Sequence, residues 1–515
     1  MNRLKEVPFH TFLVCIYIVL FVFAHNAEKL SFDMTFRTII IGMLFSTLVY
    51  FLSKLILRDK IKAGIFSTIL LFGLFSYGLL YNNCENLYFD DKWPFANIHR
   101  YLVFIYILVY LPVLYLFYRT KRILTYINYF FNVLLFIIIL MNIFGILFFE
   151  ISSERLYRKT NQNPILQSMQ VMPVLREGAA RENLPDIYYL ILDGYANDKI
   201  LSKFYGLDNN PFTEFLRKKG FYIAGQSRCN YPITRLSLSS SLNISYLDSL
   251  TDKAHKGATQ SMIYQNFVTY YLKGSGYKII HMPSGYAVTN RNEYADVEYS
   301  LFGPNEFERS IMRLTIFRLD DLSGIITYFR LSRQFALLKE IPKESTPKFC
   351  FIHLVCPHPP FVFNKVGKLT LHAISDMGWE TRDDYLKQLE YVNSVITKFI
   401  TELIQKDKTK KPIIIIQSDH GPWMRDSDAD NIYAARTAIL NAFYVPENIQ
   451  SKLYENISPV NSFRVVFNEM FHAGLPLLPD KSPDSTLFFN DPVFKNYYTI
   501  SSPSRKIKIK INEPD

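Results

Sequence analysis

The sequence predicts an α/β protein in two parts: five N-terminal transmembrane helices, followed by an extracytoplasmic α/β domain. Two patterns carry this prediction. Five long apolar runs fill the first 150 residues, and short buried strands separated by helical patterns follow later in the chain. We expect a transmembrane domain over 1–150, a connector over 151–185 and the α/β domain, with a basic C-terminal tail, over 186–515.

The apolar runs are each close to the roughly 20 residues that cross a bilayer as a helix. Lys and Arg concentrate before the first run and in alternate loops, which predicts a cytoplasmic N-terminus. Five spans then place the rest of the chain outside the cytoplasm, as in a multi-pass protein of the bacterial inner membrane. The connector can lie as a helix on the membrane surface. The runs cover residues 9–25, 36–57, 63–81, 101–118 and 123–149.

Composition excludes several classes of protein. The chain has 43 Phe and 35 Tyr, far too many aromatic residues for a disordered protein. Five Cys in 515 residues exclude a disulfide scaffold. The net charge of +11 is spread over the membrane loops and a basic C-terminal tail, without a nucleic-acid-binding motif. We therefore expect no nucleic-acid partner.

The second half contains four short runs rich in Ile, Val, Tyr and Phe, which are typical of strands buried on both faces. Between the last two, apolar residues recur every three or four positions over 385–403, which indicates a crossover helix. Strands alternating with helices predict a doubly wound sheet. The predicted strands cover 186–192, 277–281, 349–355 and 412–417.

Polar side chains follow three of these strands. Asp193 follows the first, His358 the third, and Asp419 and His420 the fourth. Each has an ordinary structural interpretation: a turn at Asp193, a packed or surface histidine at His358, a helix cap at Asp419. Parallel strands, however, end at one edge of a sheet, where ligands bind. Together, two carboxylates and an imidazole suit a divalent metal ion.

A hydroxyl nucleophile is expected nearby. Thr234 opens a helix-like stretch after Pro232, and free N–H groups at a helix N-terminus favour an anionic substrate. A metal ion would activate this weak nucleophile. The alternative is that Thr234 only caps the helix. Ser237 and Ser239 are competing nucleophiles inside the same helix. Arg235, next to Thr234, is a candidate contact for an anionic oxygen.

These segments resemble the alkaline phosphatase superfamily in its sulfatase-like branch. The matching stretches are DIYYLILDGY, NYPITRLSLSSSLN, HLVCPHPPF and IIIIQSDHG, within about 186–475. The arrangement of five spans before an extracytoplasmic domain resembles that of lipoteichoic acid synthases and lipid A phosphoethanolamine transferases. The resemblance implies an α/β/α sandwich of the sulfatase and alkaline phosphatase type.

The resemblance also implies a site. One divalent metal, Zn or Mn with Mg as a third option, would be held by Asp193, Thr234, Asp419 and His420. His358 would contact the phosphate or protonate the leaving group, and Thr234 would carry the transferred group. The implied activity moves a phosphoethanolamine or phosphoglycerol group from a phospholipid donor to an envelope glycan or a glycolipid such as lipopolysaccharide.

Two rival functions stay open. A hydrolase of phosphate or sulfate esters would use the same residues with water as the acceptor. An inactive sulfatase-like envelope protein would serve only in binding or envelope assembly. A formylglycine sulfatase is not expected, because Cys229 lacks the Pro and Arg of the C/S-x-P-x-R motif.

His353 is expected in the core of a strand. His372 and Trp379 lie in a connecting loop that either lines an acceptor site or is only a loop.

Overall fold

The computed structural model divides the chain into two compact units, which are described separately. One comprises Met1–Leu156 and Pro304–Asp320, and the other comprises Tyr157–Gly303 and Asp321–Asp515. Residues 161–183 of the predicted connector, His372, Trp379 and the basic C-terminal tail lie outside the described residues. The structure describes residues 2–26, 32, 34–87, 98–120, 124–160, 184–247, 256–301, 306–316, 320–344, 347–370, 382–406, 411–422 and 429–482.

Helices and strands follow the two patterns of the sequence, with helices alone at the start and alternating elements later. The helices are α1 (Asn2–Glu6), α2 (His10–Asn26), α3 (Met34–Leu57), α4 (Lys60–Leu87), α5 (Ile98–Arg119), α6 (Thr125–Thr160), α7 (Asp198–Tyr205), α8 (Asn210–Lys218), α9 (Thr234–Leu242), α10 (Lys256–Tyr264), α11 (Phe267–Gly274), α12 (Glu306–Arg313), α13 (Asp320–Leu337), α14 (Arg382–Lys406), α15 (Ala429–Thr437), α16 (Glu447–Gln450) and α17 (Pro459–Phe471). The strands are β1 (Ile187–Leu192), β2 (Tyr222–Ile223), β3 (Lys278–Met282), β4 (Val297–Glu298), β5 (Lys348–Leu354), β6 (Ile413–Gln417) and β7 (Asn441–Tyr444).

The first unit is built from the apolar helices. Within the part of the chain that the structure describes, four of them are long and apolar enough to cross a membrane: Met34–Leu57, Lys60–Tyr81, Tyr101–Arg119 and Thr125–Phe149. The helix of the first apolar run, α2, is shorter, with 17 residues. Many of the large apolar side chains of α3, α5 and α6 are exposed, as a lipid-facing surface requires.

Buried polar side chains fasten the N-terminus within this unit. The Asn132 amide donates hydrogen bonds to the Leu4 and Val7 carbonyls, at 2.7 and 2.8 Å. Its Oδ1 accepts the His10 backbone N–H at 2.7 Å, at the start of α2. A backbone away from water must satisfy its polar groups internally, so this asparagine stabilises the break between α1 and α2.

The second unit contains a seven-stranded mixed sheet in the order β2-β7-β6-β1-β5-β3-β4. Strand β1 is central and pairs in parallel with both β5 and β6. The predicted strands agree with β1, β3, β5 and β6 to within one residue at each end, and the predicted crossover helix lies inside α14. At one edge, β7 is antiparallel to β6 and β2 is antiparallel to β7. The sequence pattern suggested a parallel sheet, whereas the observed sheet is mixed.

Helices cover both faces of the sheet, which makes the second unit an α/β/α sandwich. Strand β1 buries all six of its side chains. Tyr188, Leu190 and Leu192 belong to a core that includes Leu389 and Val392 of α14. The side chains that alternate with them pack with residues of α9 and α17 on the opposite face. Burying one large apolar side chain contributes about 1.5–3 kcal/mol, so these two layers fix the direction of the strands.

Candidate metal centre and nucleophile

Two neighbouring parallel strands bring the candidate acidic residues together. Asp193 comes directly after β1, and Asp419 comes two residues after β6. The register pairs Ile191 with Gln417, so the chain leaves both strands at the same level of the sheet. The proximity of the two carboxylates therefore follows from strand pairing.

The four side chains that the resemblance implied as ligands converge on one point. The His420 Nε2 lies 3.0 Å from the Thr234 Oγ1, 3.3 Å from an Asp419 carboxylate oxygen and 3.6 Å from an Asp193 carboxylate oxygen. One ligand atom each from Asp193, Asp419 and His420 lies within 4.8 Å of the other two. All four side chains are buried.

A divalent cation fits this group. The Asp193 Oδ1 and both carboxylate oxygens of Asp419 are buried without a hydrogen-bond partner among the described residues. Isolated buried carboxylates are costly unless a cation or donors compensate them. Two carboxylates, one imidazole nitrogen and one hydroxyl suit Zn²⁺ or Mn²⁺, and the oxygen majority also suits Mg²⁺.

Burial controls the charges of the group. Burial raises the pKa of Asp419 to about 7, and the neighbouring Asp193 carboxylate adds to this increase. Burial also acts to raise the pKa of Asp193, but the surrounding His358, His353 and His420 outweigh it and hold that pKa well below its usual range. Burial lowers the pKa of His420 far below its ordinary value, so its imidazole is neutral at pH 7. A neutral imidazole is the form that binds a metal.

Thr234 is the first residue of α9. Ile233 before it is extended, with φ −131° and ψ 129°, so the helix begins abruptly at the threonine. The side chain of Thr234 is 6% exposed and its hydroxyl faces the His420 imidazole. The hydroxyl therefore lies both at a helix N-terminus and beside the candidate ligands.

The competing serines have hydrogen-bonded roles instead. The Ser237 hydroxyl donates to the Asp419 carbonyl at 2.8 Å. The Ser239 hydroxyl donates to the Arg235 and Thr259 carbonyls, both at 2.7 Å. Ser237 thus ties α9 to the loop after β6, and Ser239 ties it to α10. Of the three hydroxyls, the one of Thr234 is directed at the carboxylate and imidazole group.

His358 lies at the rim of this group. Its ring centroid is 6.3 Å from that of His420, and its Nδ1 is 2.7 Å from the Pro359 carbonyl. Gly194 lies against its backbone: a Cβ added to the glycine would be 3.6 Å from the His358 Cα. The glycine has φ +78°, which favours glycine in the turn that follows Asp193.

The Arg235 guanidinium donates to the Thr259 hydroxyl of α10. A contact between this side chain and a substrate anion therefore stays a proposal.

His353 is more than the core residue that the sequence suggested. It is fully buried in β5, but its Nε2 lies 3.4 Å from an Asp193 carboxylate oxygen. Its Nδ1 is 2.7 Å from the Thr289 hydroxyl. Strand pairing sets His353 beside Ile191, two residues before Asp193. Only the order of the strands in the sheet could have revealed this neighbour, and a single sequence does not contain it.

The cysteines take no part in the group. All five are free, and all lie within the part of the chain that the structure describes. Burial raises the pKa of the Cys229 thiol to about 12, which makes it unreactive at neutral pH.

Comparisons with known proteins give one family match. The family model for sulfatases matches residues 185–463, which is more than half of the chain and includes all of the site residues above. No curated protein matches the sequence.

Solved structures that match this chain include the following three. The zinc complex of the C-terminal periplasmic domain of EptC from Escherichia coli is 14% identical, with a TM-score of 0.40 over 59% of this chain and 88% of that one. The corresponding domain of phosphoethanolamine transferase EptC from Campylobacter jejuni is 16% identical, with a TM-score of 0.39 over 58% and 96%. The integral membrane lipooligosaccharide phosphoethanolamine transferase A from Neisseria meningitidis is 13% identical, with a TM-score of 0.39 over 91% and 95%.

Proposed function

This chain belongs to the sulfatase family, and from that premise we propose that it is a membrane-anchored, metal-dependent phosphotransferase. It moves a phosphoethanolamine or phosphoglycerol group from a phospholipid to an envelope glycan or glycolipid. The observation that carries this proposal is the position of the Thr234 hydroxyl, at a helix N-terminus and 3.0 Å from the His420 Nε2. A hydroxyl in that position suits covalent transfer.

Each residue of the group has a distinct role in this proposal. Asp193, Thr234, Asp419 and His420 would hold one divalent ion. When bound, such an ion lowers the pKa of a coordinated hydroxyl and offsets the charge that develops on phosphoryl oxygens. The N-terminus of α9, which begins at Thr234, would favour the anionic phosphoryl group electrostatically. Arg235 offers a further cationic contact to that group.

The transfer proceeds in two steps with the bonds balanced. Thr234 begins each cycle as the alkoxide, its hydroxyl proton having been lost to water beforehand. The Thr234 oxygen forms a bond to phosphorus while the bond from phosphorus to the lipid oxygen breaks, and His358 gives a proton to the departing lipid alkoxide. An acceptor hydroxyl oxygen then forms a bond to phosphorus while the bond to the Thr234 oxygen breaks. His358 takes the acceptor's proton, and Thr234 returns to the alkoxide. His358 thus acts as acid and then as base, as two successive displacements require.

The apolar helices support a lipid donor. Tethering confines the enzyme to the surface that holds phospholipids, which raises the effective concentration of the donor. We infer that α2 also crosses the membrane, because its 17 residues reach the lower limit for a span. With five spans and a cytoplasmic N-terminus, the sulfatase-like domain would lie on the outer side of the inner membrane and face envelope acceptors.

The second candidate function is hydrolysis of phosphate or sulfate esters. The family match favours it, because the matched description is that of sulfatases. A hydrolase would use the same four residues, with Thr234 among them as the nucleophile and water as the acceptor in the second step. The lack of a C/S-x-P-x-R motif at Cys229 argues for threonine rather than formylglycine as the nucleophile.

Product analysis separates the two activities. The full-length protein in detergent, loaded with Zn²⁺ or Mn²⁺, would receive headgroup-labelled phospholipids with and without a lipid A or glycan acceptor. We expect label in a new ester that requires both acceptor and metal, with the diacylglycerol released. Label found only in the free headgroup phosphate, with or without acceptor, would indicate the hydrolase. The Thr234→Ala variant is the control for both outcomes.

A further inference from the structure

Arg436 connects the two segments that hold the candidate nucleophile and the candidate ligands. It lies near the end of α15 and is 3% exposed. Its Nε donates to the Pro232 carbonyl at 2.9 Å, and its Nη1 donates to the Gly421 carbonyl at 2.8 Å. Pro232 comes two residues before Thr234, and Gly421 directly follows His420. One side chain is therefore bonded to the backbone on both sides of the site.

The backbone around Arg436 is packed between the same two segments. Gly421 donates its N–H to the Arg436 carbonyl at 2.7 Å, and Cys229 donates its N–H to the Thr437 carbonyl at 2.8 Å. A Cβ on Gly421 would be 1.9 Å from the Ala435 carbonyl oxygen, so only glycine allows this close approach. The end of α15 thus lies between the segment that leads into Thr234 and the ligand loop, which is the loop after β6 that carries Asp419 and His420.

The chemistry of the side chain matches this position. A guanidinium is planar and carries donors that point in different directions, so it can bond two carbonyls that belong to different segments. Hydrogen bonds from a charged donor are also stronger than those between neutral groups. A lysine has a single nitrogen at the end of a flexible chain and would hold the two carbonyls less rigidly.

We propose that Arg436 is a positioning residue that sets the distance between the Thr234 hydroxyl and the ligand loop after β6. It acts through the Pro232 and Gly421 carbonyls. The inference rests on the proposed function in one respect, namely that Thr234 is the nucleophile. It predicts that loss of the guanidinium slows the attack of Thr234 on phosphorus. Asp193, Asp419 and His420 should still bind metal.

The main test is Arg436→Met, which keeps the length of the side chain and removes its donors. Small misplacements of a reacting group cost about 10²-fold in rate. We expect kcat to fall about 10²-fold, KM for the phospholipid to change less than about threefold, and metal content to stay near that of the wild-type protein. The kcat of Arg436→Lys should lie between those of Arg436→Met and the wild-type protein.

Arg464 provides a matched control in the same unit. It is also buried, and it also donates to two carbonyls, those of Ile244 at 2.8 Å and Pro476 at 2.6 Å. Neither carbonyl belongs to the segment before Thr234 or to the loop after β6. Arg464→Met should also lower the melting temperature, because each of the two variants loses its hydrogen bonds to two backbone carbonyls. Its kcat should stay within about threefold of the wild type.

A spectroscopic measurement follows the geometry without relying on turnover. With Co²⁺ in the site, the visible absorption spectrum reports the number and geometry of the ligands. The spectrum of Arg436→Met should resemble that of Thr234→Ala, because both variants lose the hydroxyl from its position. The spectrum of Arg464→Met should match the wild type.

Two results would overturn the inference. One is an Arg436→Met protein that keeps wild-type kcat and cobalt spectrum. The other is a loss of kcat that is fully accounted for by a parallel loss of metal. If Arg436→Met does not fold, an Arg436→Lys protein with unchanged kcat and spectrum overturns it equally. If the wild-type protein proves to be a hydrolase, the same comparison is made on ester hydrolysis, so failure of the proposed transfer is distinct from failure of this inference.

Discussion

At the residue scale, three hydroxyls share the first turns of α9, and their contacts separate them. We expect Thr234→Ala to lower kcat by about 10³-fold or more, because the proposed nucleophile is lost. Ser239→Ala should keep kcat within about threefold and cost roughly 1 kcal/mol of stability, because its hydroxyl only donates to two carbonyls. Steady-state assays on both variants test this. A Ser239→Ala protein that loses activity as Thr234→Ala does would contradict the assignment.

A second residue-scale prediction concerns pH and metal binding. Burial raises the pKa of Asp419 to about 7, so without metal this carboxyl holds a proton below that pH. Metal must displace the proton, so apparent affinity should rise about tenfold per pH unit below pH 7 and level off above it. Asp193 and His420 add no proton, because both of their pKa values are lowered. Titration against a chromophoric chelator measures the slope, and a flat profile would contradict it.

The sequence identified some residues of the site and could not identify others. Asp193, Asp419 and His420 were predictable as neighbours because each follows a strongly apolar strand, and parallel strands share an edge. The role of His353 depends on which strands are adjacent, which local patterns do not encode. The sequence did not single out Arg436, because basic residues are common in the last turn of a helix. Its role depends on its two carbonyl partners, which only the structure gives.

At the element scale, the strength of each local signal decided what could be predicted. Strands β1, β3, β5 and β6 are long apolar runs buried on both faces, and their bounds follow from composition. Strands β2 and β4 have two residues each, and β7 has four, so they carry little pattern of their own. Their pairing, including the antiparallel edge, is set by tertiary contacts rather than by the local sequence.

Helix α12 belongs to the same unit as the N-terminal helices, although it comes much later in the chain. Glu308 forms an ion pair with Arg37 of α3, and Phe307 meets Phe23 of α2 edge to face with ring centroids 6.3 Å apart. The Leu314 carbonyl, just after α12, accepts the Gly78 N–H at 2.9 Å. The membrane unit is thus completed by a segment inserted late in the sequence.

This packing gives an element-scale prediction. A Cβ on Gly78 would lie 2.3 Å from the Arg313 carbonyl oxygen, whereas a Cβ on Gly145 of α6 would have open space. Gly78→Val should therefore destabilise the unit by about 1–3 kcal/mol through overpacking, and Gly145→Val should have little effect. Thermal unfolding in detergent, followed by size-exclusion chromatography, compares the two variants. Equal melting temperatures would contradict the contact between α4 and the end of α12.

At the scale of the whole molecule, the order of membrane unit and sulfatase-like unit makes the orientation testable. We expect the N-terminus in the cytoplasm and the sulfatase-like unit outside it, because Lys and Arg concentrate in alternate loops from the N-terminus onward. A reporter enzyme active only outside the cytoplasm, fused after residue 482, should be active. The same reporter fused at Asp59, between α3 and α4, should be inactive. The reverse pattern would contradict the predicted topology.

The most direct test of the central claim is mass spectrometry of the peptide that contains Thr234. The metal-loaded, full-length protein would be incubated with mixed phospholipids, quenched in acid and digested. We predict a covalent mass increment on Thr234, whose size identifies the transferred group, and no increment in Asp419→Asn. An unmodified Thr234 in protein that binds metal and consumes phospholipid would contradict transfer through a phosphothreonine.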